Sequence, residues 1–458
     1  MEKKDKFNKS VSVLFLLLAI FGIFLVENSS YSPSNLAANL PEELLLTKKD
    51  TPPSFIKIDT NDVLLDIENR ISPDFKIPPG LEERVSFWLE IYSVYPSDKK
   101  VIHHVDYPWI KYDVFDISEI LARPAKFNWI NPEKAEKETQ KRMAYIKNKL
   151  MGLASKLKKN KIKTKEQIAE IKASLNLDSE EAKYLELLQD LPGDMIKKIR
   201  AASSRMRIQT GQKDHFQNGL GIANRYLPHM EKIFIDHGLP PEISRLPLVE
   251  SSFNKQATSK VGAAGLWQFM EGTGKKFLVV NDFIDERRSP FKSSEAAAEL
   301  IKENYKILSK SWPLAITAWN HGPGGLRKAM KSLKTKDIAT IIKYFESKQF
   351  SFASENFYSE FLAALYVEKY SDKIFDSINL QPTLVYDSYR LTQRIKPSKI
   401  FKAINLSAAD FIDLNPDLIR AVKFNLTLPK GLIIFVHPDK VSELTKLANQ
   451  KWKARDEI

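Results

Sequence analysis

Apolar residues recur at intervals of three and four along "EERVSFWLEIYSVY" (82–95) and again along "SEEAKYLELLQDLPGDMIKKIRAASSRM" (179–206). That period matches one face of an α-helix and not the alternation of a strand, so the stretch from Leu81 to about Ala201 is expected to be helical. Helical segments bounded by Gly-Pro signals continue from Gln212 to about Asp372: "HGLPPEISRL", "SSEAAAELIKENYKILS", "PLAITAWNHGPGGLRKAM" and "SENFYSEFLAALYVEKY". From Ile378 the pattern changes to "PTLVYDSYRL", "SAADFIDLNPDLI" and "LPKGLIIFVHP", which reads as strand, helix, turn and strand in a small module. The expected fold is mainly α with a small α+β module at the carboxyl end. The expected blocks are 1–26, a polar proline-punctuated linker over 27–80, a helical region over 81–211, a central domain over 212–377, the module over 378–440 and a tail over 441–458.

The first block reads as an export signal. Lys3, Lys4, Lys6 and Lys9 precede an apolar run from Val11 to Val26 broken by Ser12 and Gly22, the order of a charged n-region and an h-region. The run is short against a span of roughly 20 residues, and no small-x-small cleavage site follows "LVENSS". A cleaved signal and a retained inner-membrane anchor both fit, and either places the remainder outside the inner membrane, in the periplasm or cell envelope. The chain has no cysteine, which excludes disulfides, thiol catalysis, CxxC zinc sites and an amino-terminal lipidated cysteine.

Part of the net charge of +13 is concentrated between Lys134 and Lys165, where twelve Lys or Arg face two glutamates, Glu136 and Glu138. A solvated helix face and attraction to an anionic polymer or membrane surface are both consistent with it. Nucleic acid is not an expected partner, since no binding motif accompanies the charge.

The stretch "LPLVESSFNKQATSKVGAAGLWQF" (246–269) places one acid, Glu250, behind an apolar run. If Pro240 or Pro241 opens a helix, then Ile243, Leu246 and Glu250 share one face. Partial desolvation there raises a carboxyl pKa and suits a general acid. A glutamate at a helix end bonded to neighbouring serines is the alternative. Pro247 is expected to bend the helix just before Glu250.

Four segments in order, "LPLVESSFN", "SKVGAAGLWQFM", "ITAWNHGPGG" and "SENFYSEFLAALYV", resemble the soluble-lytic-transglycosylase-type catalytic domain and its membrane-bound murein transglycosylase D branch. The resemblance implies a goose-lysozyme-like helical domain and peptidoglycan glycan strands as substrate. It implies Glu250 as the catalytic acid, Ser251 as a support for the sugar's acetamido group or the carboxyl, and Gly262, Gly265, Gln268 and Met270 as the groove floor. Trp319 stands where relatives have tyrosine, and Asn320 orients the reacting sugar. In the fourth segment the family's Asn-Tyr pair falls on Asn356 and Phe357. Either Tyr358, one place later, supplies the phenol or the site lacks it there.

No second acid belongs to these motifs, whereas ordinary glycosidases use two carboxylates. The resemblance therefore implies that Glu250 acts alone, first as acid and then as base, closing a 1,6-anhydro ring without water. A lysozyme-type hydrolase and a non-catalytic peptidoglycan-binding protein are the alternatives. Seven histidines form no HExxH pattern, and neither a metal nor an organic cofactor is expected. "LSAADFIDLNPDLI" and "LPKGLIIFVHP" are similar to a degenerate LysM unit whose Gly-Asp-Thr-Leu opening is replaced by "IKPSKIFKAI". Glycan binding and structural docking both remain open for it.

Overall fold

The computed structural model describes residues 59–171 and 175–449. The expected export signal over 1–26, the first part of the expected linker and the end of the expected tail lie outside the described residues. Helix α1 (Glu82–Ser93) follows its period, burying Val85, Trp88, Leu89 and Tyr92 with Glu82 and Glu83 in the first turn, where carboxylates oppose the helix dipole's positive end.

The region 81–211 departs from the all-helical expectation. β1 (Lys99–His104) is the centre of a three-stranded antiparallel sheet, flanked by β2 (Lys111–Asp116) and β3 (Met206–Thr210) in the order β2-β1-β3. Lys99 pairs with Asp116 and Ile102 with Ile208. Each strand is short, and the last four residues of β1 are all buried, so no polar alternation marks it. Pairing with β3 is also long-range, which a local pattern cannot announce.

Between those strands, α2 (Ile130–Lys159), α3 (Ser179–Leu188) and α4 (Met195–Ser204) close a second core around Ile146, Leu150, Leu153, Tyr184 and Ile199. Asp178 caps α3 in a reciprocal capping box with Glu181. The basic run is partly neutralised here: Arg142 bonds Asp113 at 2.6 Å and Glu180 at 2.9 Å, Lys156 bonds Glu181 at 2.6 Å, and Lys149 pairs with Asp178.

The main core is helical, as expected. It comprises α5 (Lys213–Ala223), α6 (Leu227–Asp236), α7 (Leu246–Ser251), α8 (Pro290–Ile307), α9 (Trp312–His321), α10 (Pro323–Leu333) and α11 (Phe352–Lys369). α11 is its axis, buried on nearly every side through Phe357, Phe361, Leu362, Leu365 and Tyr366. Residues 59–80, expected within a linker, pack onto it. Val63, Ile71 and Phe75 join the core, Phe75 meets Phe361 edge-on at 5.5 Å, and the Tyr370 hydroxyl donates to Asp66 at 2.7 Å. Val63 sits on a five-residue helix, Thr60–Leu64, and Phe75 on a 3-10 turn, Pro73–Phe75, pieces too short to announce themselves, and an aromatic contact and a buried carboxylate help seat them.

The carboxyl-terminal module pairs β4 (Asp387–Arg390) antiparallel to β5 (Ile433–Val436) around α12 (Pro397–Ile404) and α13 (Ala408–Leu414). It has its own apolar cluster, including Ile400, Phe411, Leu418 and Ile434. The module is docked rather than free: Phe435 meets Phe291 at 5.1 Å, Lys255 bonds Asp413 at 2.6 Å and Lys292 bonds Asp417 at 2.7 Å.

Candidate active site

Glu250 stands near the end of a very short helix. Pro241–Arg245 forms a short 3-10 segment, and α7 then starts afresh at Leu246 with Pro247 in its first turn, where a missing N–H leaves nothing unsatisfied. The expected bend is thus a junction between two helical segments. Ile243 and Leu246 are fully buried, while Glu250 keeps a narrow opening. Ser252 and Phe253 take φ values of 48° and 60°, which stop the helix directly after Ser251. The Ser251 hydroxyl donates to the Leu266 carbonyl at 2.9 Å. It thereby ties α7 to the glycine-bearing loop.

That loop fixes an aromatic wall. Gly265 has φ 78°, and a Cβ there would lie 1.9 Å from the Arg287 carbonyl oxygen, so only glycine fits. The Gln268 amide donates to the Gly265 carbonyl at 2.8 Å, and Gly262 shares the left-handed region. Trp267 is buried with its indole N–H on Ser294 at 2.9 Å. Trp319 rests on Trp267 at 5.5 Å and on Phe269 at 5.0 Å. Met270 is exposed at the loop's edge.

Trp319 also reaches the acid. Burial pushes the Glu250 pKa up to about 8, outweighing a hydrogen bond from the Trp319 indole N–H that favours the carboxylate. A neutral carboxylic acid is therefore the resting form near pH 7. Desolvation dominates.

Glu250, Ser251 and Asn320 meet in a cavity of about 510 Å³. The Asn320 side-chain oxygen accepts from Ser354 Oγ at 3.0 Å, and Ser354 lies 3.2 Å from His321 Nδ1, so α9 and α11 jointly orient the amide. Burial holds His321 below the usual imidazole range. Gly265, Gln268 and Met270 stand on the neighbouring loop, outside the cavity wall as it is formed by the described residues.

In the fourth segment, Phe357 lines the cavity and Tyr358 does not. Tyr358 is 1% exposed, packed beside Phe361 at 6.3 Å, with its buried hydroxyl unpartnered among the described residues. Asn356 accepts from Arg84 and from the Trp88 indole, both at 3.0 Å, tying α11 to α1. That anchor fixes the rotation of α11 and turns Tyr358 away from the opening, by the roughly 100° that separates successive residues of a helix.

One carboxyl beside Glu250 lies within the fourth quoted segment, at a position to which the resemblance assigns no role. Glu360 lies midway along α11, is pushed up to about 8 chiefly by burial and further by the Glu250 charge, and feels Arg207 in the opposite sense. It is the single charged residue between Glu355 and Glu368. An acid inside an apolar run is the same signal that singles out Glu250. Glu271, by contrast, is exposed and bonded to Lys275 at 2.6 Å. The opposite wall comes from the amino-terminal block: Trp88 and Tyr92 of α1, Lys100 of β1, and Arg207 and Gln209 of β3.

Residues 234–342 match the family model described as Transglycosylase SLT domain. Membrane-bound lytic murein transglycosylase D of Escherichia coli strain K12 is 36% identical over 103 residues, 22% of this chain and 23% of that protein. A putative tributyltin chloride resistance protein of Alteromonas sp. strain M-1 is 33% identical over 115 residues, 25% of this chain and 56% of that protein. The matching stretch thus spans less than a quarter of the Escherichia coli relative's length. Residues 234–342, which carry Glu250, Gln268 and Asn320, are of the SLT transglycosylase type.

Proposed function

We propose that this chain is a peptidoglycan lytic transglycosylase, with Glu250 as its acid and then its base. The observation that carries the reading is a largely buried Glu250, protonated near neutral pH, in a cavity within an SLT-type segment. Glu250 gives its proton to the glycosidic oxygen between N-acetylmuramic acid and N-acetylglucosamine, and the C1–O bond breaks. The substrate's own acetamido oxygen stabilises the cation at C1, the recognised exception to the two-carboxylate rule. The Glu250 carboxylate then takes the proton of the muramoyl 6-hydroxyl, whose oxygen bonds C1 and closes the 1,6-anhydro ring. Asn320 orients the reacting sugar, Trp319 holds the carboxylate stage of Glu250, and Ser251 supports the loop that places both. Gly265, Gln268 and Met270 shape the groove beside the cavity.

Glu360 favours a second reading, hydrolysis of lysozyme type, since it places a second carboxyl within electrostatic reach of Glu250 in the cavity. Burial pushes Glu360 toward its neutral form, which disfavours it as base or nucleophile and leaves transglycosylation the better-supported outcome. Mass spectrometry of digested sacculi decides between them: anhydro ends are about 18 Da lighter than hydrolysed ones, and reducing ends alone would replace this reading with hydrolysis.

The chain is further proposed to be exported to the cell envelope through its amino-terminal 26 residues, as a cleaved signal or an anchor. Among the described residues no helix is long and apolar enough to cross a membrane. The blocks 81–211, 212–377 and 378–440 serve as amino-terminal wall, catalytic domain and LysM-like module. Ion pairs at Asp413 and Asp417 support a docking role for the module.

A further inference from the structure

Arg207 sits in the cavity wall on β3, outside the 234–342 segment that carries Glu250. Its guanidinium lies 4.3 Å from the Phe352 ring centroid, a stacking geometry that positions the planar group. Among the described residues it makes no ion pair, and its buried Nε has no hydrogen-bond partner. Leaving a half-buried guanidinium without an ion pair is costly. A cation in that state, facing an open volume, is matched to an anion that arrives with a ligand.

The other charged groups facing the cavity are Lys100, Glu136, Glu250 and Glu360. Lys100 donates to Thr210 Oγ1 at 2.9 Å and is attracted by Glu136. Glu360 attracts Arg207 without forming an ion pair with it, and burial favours the neutral form of both acids, so Arg207 has no bonded anion among the described residues. A glycan containing N-acetylmuramic acid supplies one. Its lactyl ether ends in a free carboxylate on stem-free strands, and on stem-bearing strands the peptide carries carboxylates instead.

We propose that Arg207 is a specificity-determining residue of this cavity, which binds a carboxylate borne by the glycan beside the scissile bond. The proposal rests on the glycan-cleaving reading above. It makes the amino-terminal block a reader of substrate charge and not only a wall.

The test uses the purified full chain and four substrates: stem-free strands, stem-bearing strands, and each after carbodiimide amidation has neutralised its carboxylates. Wild type is expected to show kcat/KM about tenfold higher on a charged strand than on its amidated form, in line with one charge-assisted hydrogen bond. Preference on the stem-free pair identifies the lactyl carboxylate, and preference on the stem-bearing pair identifies the peptide. Arg207→Gln is expected to remove the preference mainly through KM, and Arg207→Lys, which keeps the charge, to retain part of it. Equal wild-type kcat/KM within both pairs overturns the proposal even if Arg207→Gln does not fold, and so does a folded Arg207→Gln that keeps the wild-type preference. Failure of wild type to release new ends from any strand would instead remove the glycan-cleaving reading itself.

Discussion

Glu250 and Glu360 face one cavity from helices of opposite design. The helix that bears Glu250 has six residues, opens on a proline turn and stops in left-handed backbone. Glu360 sits in the middle of an 18-residue helix buried on almost every side. Both carboxyls are pushed up to about 8, in different surroundings. Glu250 has an indole N–H that favours its charged form, whereas Glu360 has the neighbouring acid's repulsion opposed by the charge of Arg207. A similar pKa therefore conceals different capacities. The group at a loop junction has a hydrogen bond ready for its carboxylate stage, and the group within a packed helix has none of that kind. The arrangement suits proton transfer at Glu250 and a neutral role at Glu360.

The sharpest way to break this comparison is to remove each proton in turn. Glu250→Gln is expected to lower turnover on purified glycan by about 10² to 10⁴-fold, the usual worth of general acid-base catalysis, while the fold persists because the amide is nearly isosteric. Glu360→Gln should cost about tenfold or less. Equal losses in the two variants, measured as all new ends, anhydro and reducing, released per folded molecule, would make them a working pair and favour hydrolysis.

The two helices also differ in how far the sequence announces them. Glu250 is legible because its partners are local: the proline, the serine pair and the glycine loop all lie between Pro241 and Phe269. Gly265 reads as a close approach of backbone, and the structure supplies its cause in the Arg287 carbonyl. Glu360 needs a spatial fact, that α11 runs behind α7, which no spacing in "NFYSEFLAALYV" contains. The wall bearing Arg207 is hidden for a similar reason. β1 and β3 pair through residues as distant in the chain as Ile102 and Ile208, with α2, α3 and α4 among the elements between them, and a helical period on either side invites a helical reading of the strands. Residues 59–80 escape in turn because Val63 and Phe75 join the core on helical pieces of five and three residues, too short to show a period.

A smaller effect concerns stability at Glu360. The folded-state pKa of Glu360 is raised from 4.5 to about 8, so the native state holds a proton that the unfolded chain releases. Its contribution to stability is fully present below about pH 4.5 and is lost as pH rises toward 8. Glu360→Gln removes that loss. The variant is expected to match wild type near pH 4 and to exceed it by about 1 to 2 kcal/mol at pH 8, after discounting for the carboxyl's opening to the cavity. Thermal or denaturant unfolding at the two pH values checks it, and a gain independent of pH would mean that packing, not the proton, is responsible.

The smallest expected effects lie one helical step away, at Phe357 and Tyr358. Phe357 faces the cavity and Tyr358 faces the core with an unpartnered hydroxyl. A buried hydroxyl without a partner is a cost that phenylalanine does not carry. Tyr358→Phe is therefore expected to leave turnover at the wild-type level and to hold or raise stability by up to about 1 kcal/mol. Phe357→Leu should lose about 1 kcal/mol of packing and also alter KM, because its ring is part of the cavity wall. The measurement is a pair of unfolding curves beside steady-state kinetics on soluble glycan. A drop of about tenfold or more in turnover for Tyr358→Phe, with stability unchanged, would mean that the phenol reaches the reacting sugar, and that α11 presents a different face to the substrate from the one that now carries Phe357 and Glu360.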